Sequence, residues 1–252
     1  MSSSAHLLAV SQIFGWQDPG AAFTAISQIG TEAAVLIYFR RDIARITVSW
    51  AKSLRQPALR SSIDARMGWY VILGTIPIVV LGITFTSQIE TIARNLWLTA
   101  VMLAGFGLLL GAADRWGHRT REISSLRAKD AILLGGAQAL ALVPGVSRSG
   151  ATITMGLTLG LTREAATRYA FLLAIPAVLG SGAYEATRIS NDPDVAWGAI
   201  IVATVIAFSV GYLVISWLIR YIATNSYLPF VLYRLGFAGV LVVLLLAGVL
   251  NA

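Results

Sequence analysis

The chain of 252 residues has no cysteine. Disulfides, thiolate nucleophiles and cysteine-bound metals are therefore excluded. Its two histidines, His6 and His118, are too few for a histidine-rich metal site. Charge is also scarce: 12% of residues are charged, where a soluble domain carries about 25%. What fills the chain instead is apolar, 57% of it. Apolar stretches of roughly 16 to 25 residues recur, and a helix crossing ~30 Å of hydrocarbon needs about 20. The composition specifies an all-α polytopic membrane protein rather than a soluble helical domain.

The net charge of +7 raises the question of nucleic acid. Its placement argues for a membrane surface instead. Residues 40–66 hold Arg40, Arg41, Arg45, Lys52, Arg55, Arg60 and Arg66 against Asp42 and Asp64. Residues 114–130 hold Arg115, Arg119, Arg121, Arg127 and Lys129 against three acids. Both segments read as loops between apolar spans, where a positive excess marks the cytoplasmic side and anionic headgroups are the neighbours.

The spans are expected at about 20–39, 68–85, 96–113, 169–184, 195–219 and 228–250. With the basic loops cytoplasmic, the acidic loop from Glu185 to Asp194 is external and the 220–227 link internal. Tryptophans such as Trp69, Trp97 and Trp197 fall near span ends, as an interfacial belt requires. Pro77 and Pro176 lie inside spans, and Gly74 and Gly82 suggest close helix packing. Arg234 in the last span either faces a pocket or snorkels to an interface. His118 sits in a basic loop and reads as solvated.

One stretch does not fit a simple span. Between Asp130 and Arg163 the single charge is Arg148, and Pro144-Gly145 breaks the run near its middle. Each half, at about 13 residues, would be a helix of ~20 Å, too short to cross. Two half-helices meeting at a polar turn form a re-entrant hairpin, tolerated where protein lines the cavity. A weak internal repeat accompanies it. Laying residues 1–15 over 146–160 aligns Ser2 with Ser147, Ser4 with Ser149 and Gly15 with Gly160. Broken helices in two halves suggest inverted repeats around a midplane site. The repeats would cover about 1–113 and 130–250, joined by a cytoplasmic linker, 114–129.

The segment from Pro144 to Thr152, PGVSRSGAT, carries the sharpest chemistry. Arg148 is a permanently charged planar fork suited to phosphate oxygens. Ser147, Ser149 and Thr152 add hydroxyls, and the glycines allow close backbone approach. A helix starting at this turn aims its unpaired N–H groups and positive dipole end at the same place. An intramembrane arginine is a functional candidate by default; the alternative is a structural arginine bridging to a carboxylate or to carbonyls. The second cluster is Ser2-Ser3-Ser4-Ala5-His6. Its histidine can move protons near neutral pH and a nearby serine can attack or bind phosphate. A serine run at a chain end is equally what a frayed tail looks like.

These motifs resemble the undecaprenyl-diphosphate phosphatase family of the bacitracin-resistance type. PGVSRSGAT is similar to its signature, and FLLAIPA at 171–177, PFVLYR at 229–234, SSSAHL at 2–7 and SQIG at 27–30 are similar to further family segments. The resemblance covers nearly the whole chain. It implies a multi-pass enzyme of the bacterial plasma membrane, built from inverted repeats whose two re-entrant hairpins meet at a pocket open to the outer face. The implied reaction removes the terminal phosphate of a C55 isoprenyl diphosphate, recycling the cell-wall lipid carrier and giving bacitracin resistance. Carried over by position, Ser3, His6 and Arg148 match its catalytic residues. Ser147, Arg148, Ser149 and Thr152 form the phosphate-binding set. The resemblance implies a divalent cation, Mg2+ or Ca2+, as cofactor. The expected partners are undecaprenyl diphosphate and membrane lipids, with a homodimer as the expected assembly and no nucleic acid.

The sequence departs from the family pattern in one place. There, a helix with two acidic residues four apart, or a glutamine and an acid, precedes the serine–histidine motif. Here Met1 stands where the family usually has valine. The expectation is a gene that begins further upstream, which an in-frame stop directly before Met1 would contradict. The first acid, Asp18, reads as part of a turn. Glu32 is the first-half acid inside an apolar span, a candidate to pair with Arg148 or approach a cation. Two other functions remain open from the residues alone. A lipid-phosphate transporter could use the same Arg148 pocket without hydrolysis. An intramembrane serine protease could use a Ser–His pair, although the arginine-rich turn suits phosphate better than a peptide carbonyl.

Overall fold

In hydrocarbon a chain must satisfy its own backbone polar groups, so long apolar runs become helices. The structure is a computed structural model describing residues 3–14, 20–85, 88–89, 95–189 and 197–250. Among these residues the helices are α1 (Ser3–Ile13), α2 (Gly20–Tyr38), α3 (Arg40–Arg55), α4 (Ile63–Thr84), α5 (Leu96–Trp116), α6 (Ala128–Ala139), α7 (Arg148–Thr158), α8 (Arg163–Ile189), α9 (Trp197–Thr224) and α10 (Leu228–Leu246). Five of them, α4, α5, α8, α9 and α10, contain stretches long and apolar enough to cross a membrane. The protein is multi-pass. The expected span 20–39 is also helical, but α2 carries Ser27, Gln28, Thr31 and Glu32 and is not among the five.

The basic segment 40–66 is not simply a loop. Phe39, Ile43, Ile46 and Trp50 recur at three- and four-residue spacing, and residues 40–55 form α3. The apolar face meets the bundle: Phe39 is buried, and the Trp50 side chain lies against Gly68 of α4. High charge hid a helical period that the apolar residues alone display.

The two basic segments, 40–66 and 114–130, meet the start of α8 at one end of the bundle. Arg45 of α3 pairs with Asp64 at the start of α4 at 3.0 Å. Arg168 near the start of α8 reaches Asp42 at 2.8 Å. Arg163 pairs with Asp114 near the end of α5 at 2.5 Å. The other Asp114 oxygen accepts from the Tyr227 N–H in the α9–α10 link at 2.9 Å. Tyr227 is itself buried, which raises its phenol pKa, and its hydroxyl bonds to that of Thr167. Of the external acidic loop expected at 185–194, residues 185–189 continue α8 as helix and the rest lies outside the described residues, as does the Asp18 turn.

The re-entrant expectation has a direct geometric counterpart. Arg121 clamps both ends of one hairpin: its guanidinium donates to Asp130 at the start of α6 at 2.6 Å and to the Leu159 carbonyl beyond α7 at 2.9 Å. Asp130 also accepts from the Arg127 N–H at 3.0 Å. The chain thus enters through α6, turns at residues 140–147, and returns through α7 to the end it left. The arms are 12 and 11 residues long, slightly shorter than expected. At 1.5 Å per residue, α7 is about 16 Å long, so the turn sits deep in the bundle. Gly135 of α6 lies so close to the Gly74 backbone on α4 that no Cβ fits between them. At Gly82 a Cβ would find ordinary contact with Leu142 at 3.9 Å. Helix α1 ends at Ile13, which falls on Thr158, the last residue of α7, under the repeat alignment.

Candidate active site

Pro144-Gly145 ends the first arm because proline cannot continue a helical hydrogen-bond ladder and Gly145 adopts φ +88°. Gly145 also packs against the Thr99 carbonyl of α5 with no space for a Cβ. Ser147 follows at φ +68°, uncommon for a residue with a side chain. Such strain costs of order 1–3 kcal/mol and persists where the surroundings impose it. Here they do. Ser147 caps α7, its Oγ accepting from the Gly150 N–H at 3.3 Å. Its carbonyl accepts from Ala151 at 2.9 Å. The first N–H groups of α7, at Arg148 and Ser149, are those a helix leaves unpaired, and they carry the positive end of its dipole.

The turn is held from outside by Arg234 of α10. This side chain is 1% exposed, and its guanidinium donates to carbonyls on two elements. It reaches Gly145 at 2.9 Å and Val146 at 3.2 Å in the turn, and Leu103 at 3.1 Å and Met102 at 3.4 Å on α5. Arg234 therefore neither snorkels nor presents a free charge to a pocket. It is a positioning residue that bolts the turn to α5. Sequence reading left its role open because its partners are carbonyls, which side-chain patterns do not reveal.

Arg148 is the charge the turn presents. It is half-buried at the first position of α7, and no hydrogen bond occupies its guanidinium among the described residues. The opposite charge acting on it is Glu32 of α2, brought near from 116 positions earlier in the chain. One Glu32 oxygen, Oε2, is buried with no hydrogen-bond partner. Of the other candidate residues, Thr152 is fully buried and donates its hydroxyl to the Arg148 carbonyl at 2.9 Å. That bond supports the first turn of α7 and leaves only oxygen lone pairs, so Thr152 does not offer a proton to an anion in this arrangement. Ser149 is half-buried on the same turn.

His6 is also held by α10, at the residues that flank Arg234. Its Nε2 is 2.5 Å from the Tyr233 hydroxyl. Its ring stacks on Phe237 at 4.3 Å and on Tyr233 at 5.7 Å. Ala5 and Ala9 beside it pack with Leu103 of α5. One turn of α10 thus holds both motifs, with Tyr233 and Phe237 on His6 and Arg234 on the turn. Ser3 begins α1; its side chain lies outside the described residues, as does Ser2.

The donor set can be tested for the divalent cation expected from the resemblance. Hard cations need several oxygens, carboxylates among them. The described residues contain no group of three or more His, Cys, Asp or Glu side chains suited to a metal. Near Arg148 they supply one carboxylate, Glu32, beside a guanidinium that repels a cation. These residues do not form a cation site by themselves.

A protein-family profile described as Bacitracin resistance protein BacA matches residues 1–240. A relative from Nocardioides sp. is 55% identical over 253 aligned positions, which span 100% of this chain and 92% of the relative. One from Kineococcus radiotolerans is 57% identical, spanning 100% and 90%, and one from Thermobifida fusca 54% identical, spanning 100% and 86%. Each of the three bears the name undecaprenyl-diphosphatase.

Proposed function

The chain belongs to the Bacitracin resistance protein BacA family, and from that premise and the site geometry we propose how it works as an enzyme on a lipid diphosphate. It is a membrane phosphatase that dephosphorylates undecaprenyl diphosphate. The observation that carries the assignment to a site is Arg148: a guanidinium with no hydrogen bond among the described residues, at the N-terminal turn of α7, in a backbone turn fixed by Arg234.

The diphosphate is bound by the planar guanidinium of Arg148 and by the N–H groups of Arg148 and Ser149, which suit a multiply charged anion. Ser147 and Ser149 hydroxyls add donors, and Thr152 supports the turn. These groups neutralise charge that grows on the terminal phosphoryl oxygens as the anhydride opens, which is where catalysis of phosphoryl transfer lies. Ser3 attacks the terminal phosphorus and His6 takes its proton, aided by the Tyr233 hydroxyl. The bond from phosphorus to the bridging oxygen breaks, and the lipid monophosphate leaves with that oxygen. Water then cleaves the seryl phosphate and releases orthophosphate. A divalent cation, Mg2+ or Ca2+, belongs with the family reaction; the described residues do not build its site, and no step here depends on it.

The two repeats, 1–113 and 130–250, are inverted copies in this reading, supported by the matching ends of α1 and α7 under the repeat alignment. The basic end faces the cytoplasm of the bacterial plasma membrane, supported by the arginine excess there. The turn then opens toward the extracytoplasmic side. Release of orthophosphate from a purified lipid diphosphate tests the proposal, because a lipid carrier using the same turn releases none.

A further inference from the structure

At the basic end of the bundle, away from the PGVSRSG turn, is a cavity of about 280 Å³. Its walls include Asp114 and Arg115 of α5, Arg119 beyond it, Arg163 opening α8, Ser226 in the α9–α10 link and Leu228 opening α10. None of these has a role in the reaction above. About one 16 Å helix, α7, separates the cavity's end of the bundle from Arg148.

The charges here do not cancel. Asp114 is already used: Arg163 takes one oxygen at 2.5 Å and the Tyr227 N–H the other at 2.9 Å. Arg115 makes no ion pair among the described residues, and Arg119 spends only its Nε, on the Gly117 carbonyl at 3.2 Å. Three arginines against one aspartate leave the walls at +2. The first residues of α8 and α10 add two helix N-termini, which favour an anion, while the carboxyl end of α5 opposes them. Arg115 is exposed and Arg119 half-buried, so both remain within reach of an anion of phosphate type that enters the cavity.

The rim identifies the source of that phosphate. Trp116, adjacent to Arg115, is 77% exposed at the end of an apolar helix, and Leu228 is 56% exposed. An exposed indole at a span end belongs at the headgroup level of a bilayer. Below it, Leu108 and Leu109 of α5 and Leu232 of α10 are exposed on faces that a membrane covers. The cavity is smaller than the roughly 300 Å³ at which clefts for whole drug-sized ligands begin. It admits a headgroup, with the acyl chains left outside against α5 and α10. We propose that this cavity binds the phosphate headgroup of an anionic phospholipid of the surrounding leaflet, at a site separate from the substrate turn. The inference rests on the membrane placement of this end and is independent of the catalytic assignment.

The test uses the intact protein in nanodiscs of phosphatidylcholine with a minor fraction of brominated lipid, reading bromine quenching of Trp116. The other tryptophans are subtracted by means of Trp116→Phe. Brominated phosphatidylglycerol is expected to quench Trp116 as though enriched about tenfold over brominated phosphatidylcholine. The double variant Arg115→Gln/Arg119→Gln is expected to abolish that preference while phosphate release from the lipid diphosphate persists. Equal quenching by the two lipids overturns the proposal, as does a preference that survives the double variant. Inorganic phosphate is titrated in parallel. If millimolar orthophosphate erases the preference at constant ionic strength, the cavity is a free-phosphate site and the lipid assignment fails. If only ionic strength matters, the lipid assignment stands.

Discussion

Arg234 Nη2 donates to the Gly145 carbonyl at 2.9 Å, so a guanidinium of the last helix closes a turn 89 residues away in the sequence. The same group holds Val146, Leu103 and Met102. Replacing it with methionine keeps much of the volume and strands buried carbonyls, each costing about 1–3 kcal/mol. Arg234→Met is expected to lower the unfolding temperature and to cut phosphate release about 100-fold, the scale of a misplaced site. Arg234→Lys restores the charge without the fork and should recover stability better than rate. Thermal unfolding in detergent alongside a rate assay separates the two; full activity in Arg234→Met would remove the positioning role.

Gly145 combines φ +88° with backbone contact at Thr99. Gly145→Ala meets both obstacles. A loss of about 1–3 kcal/mol is expected from the backbone term alone, with a fall in rate. An alanine variant as stable and active as the parent would mean that the turn does not need this backbone geometry.

Glu32 brings a buried carboxyl group near Arg148 with one oxygen unpartnered, and its ionised form places a negative charge against an anion bound there. Removing that charge makes the turn more attractive to phosphate. Glu32→Gln is expected to fold normally and to tighten inhibition by orthophosphate roughly tenfold, as expected when about 1.4 kcal/mol of charge interaction is removed. An unchanged inhibition constant would leave Glu32 as a bystander.

Tyr233→Phe keeps the ring stacked on His6 and removes only the hydroxyl. Stability should change by no more than about 1 kcal/mol, the net worth of one hydrogen bond. The rate should fall about tenfold and its pH profile should move, because the histidine loses a partner. A pH profile identical to that of the parent would place the Tyr233 hydroxyl outside the proton path.

Much of the fold could be read from the sequence because hydrocarbon permits few solutions. Apolar runs had to be helices, and a single arginine in an uncharged stretch broken by Pro144-Gly145 had to be a buried turn. The rest was hidden for physical reasons. The helical face of α3 was obscured by its arginines. Arg234 acts on carbonyls, which carry no sequence signature. Ser147 and Thr152 read alike as phosphate donors by residue type, yet local backbone geometry separates them: Ser147 accepts as the helix cap and keeps its O–H to donate, while Thr152 commits its O–H to the Arg148 carbonyl. The approach of Glu32 to Arg148 joins α2 to α7, a tertiary fact that spacing alone leaves as one pairing among several.

The most direct test of the central claim compares orthophosphate release from an isoprenyl diphosphate by the parent chain and by Arg148→Ala, in detergent with magnesium or calcium present. The account predicts release by the parent and its loss by at least about 100-fold in the variant, at an unchanged unfolding temperature. Release that persists in a folded Arg148→Ala protein would contradict the assignment of the phosphate site to the α7 turn.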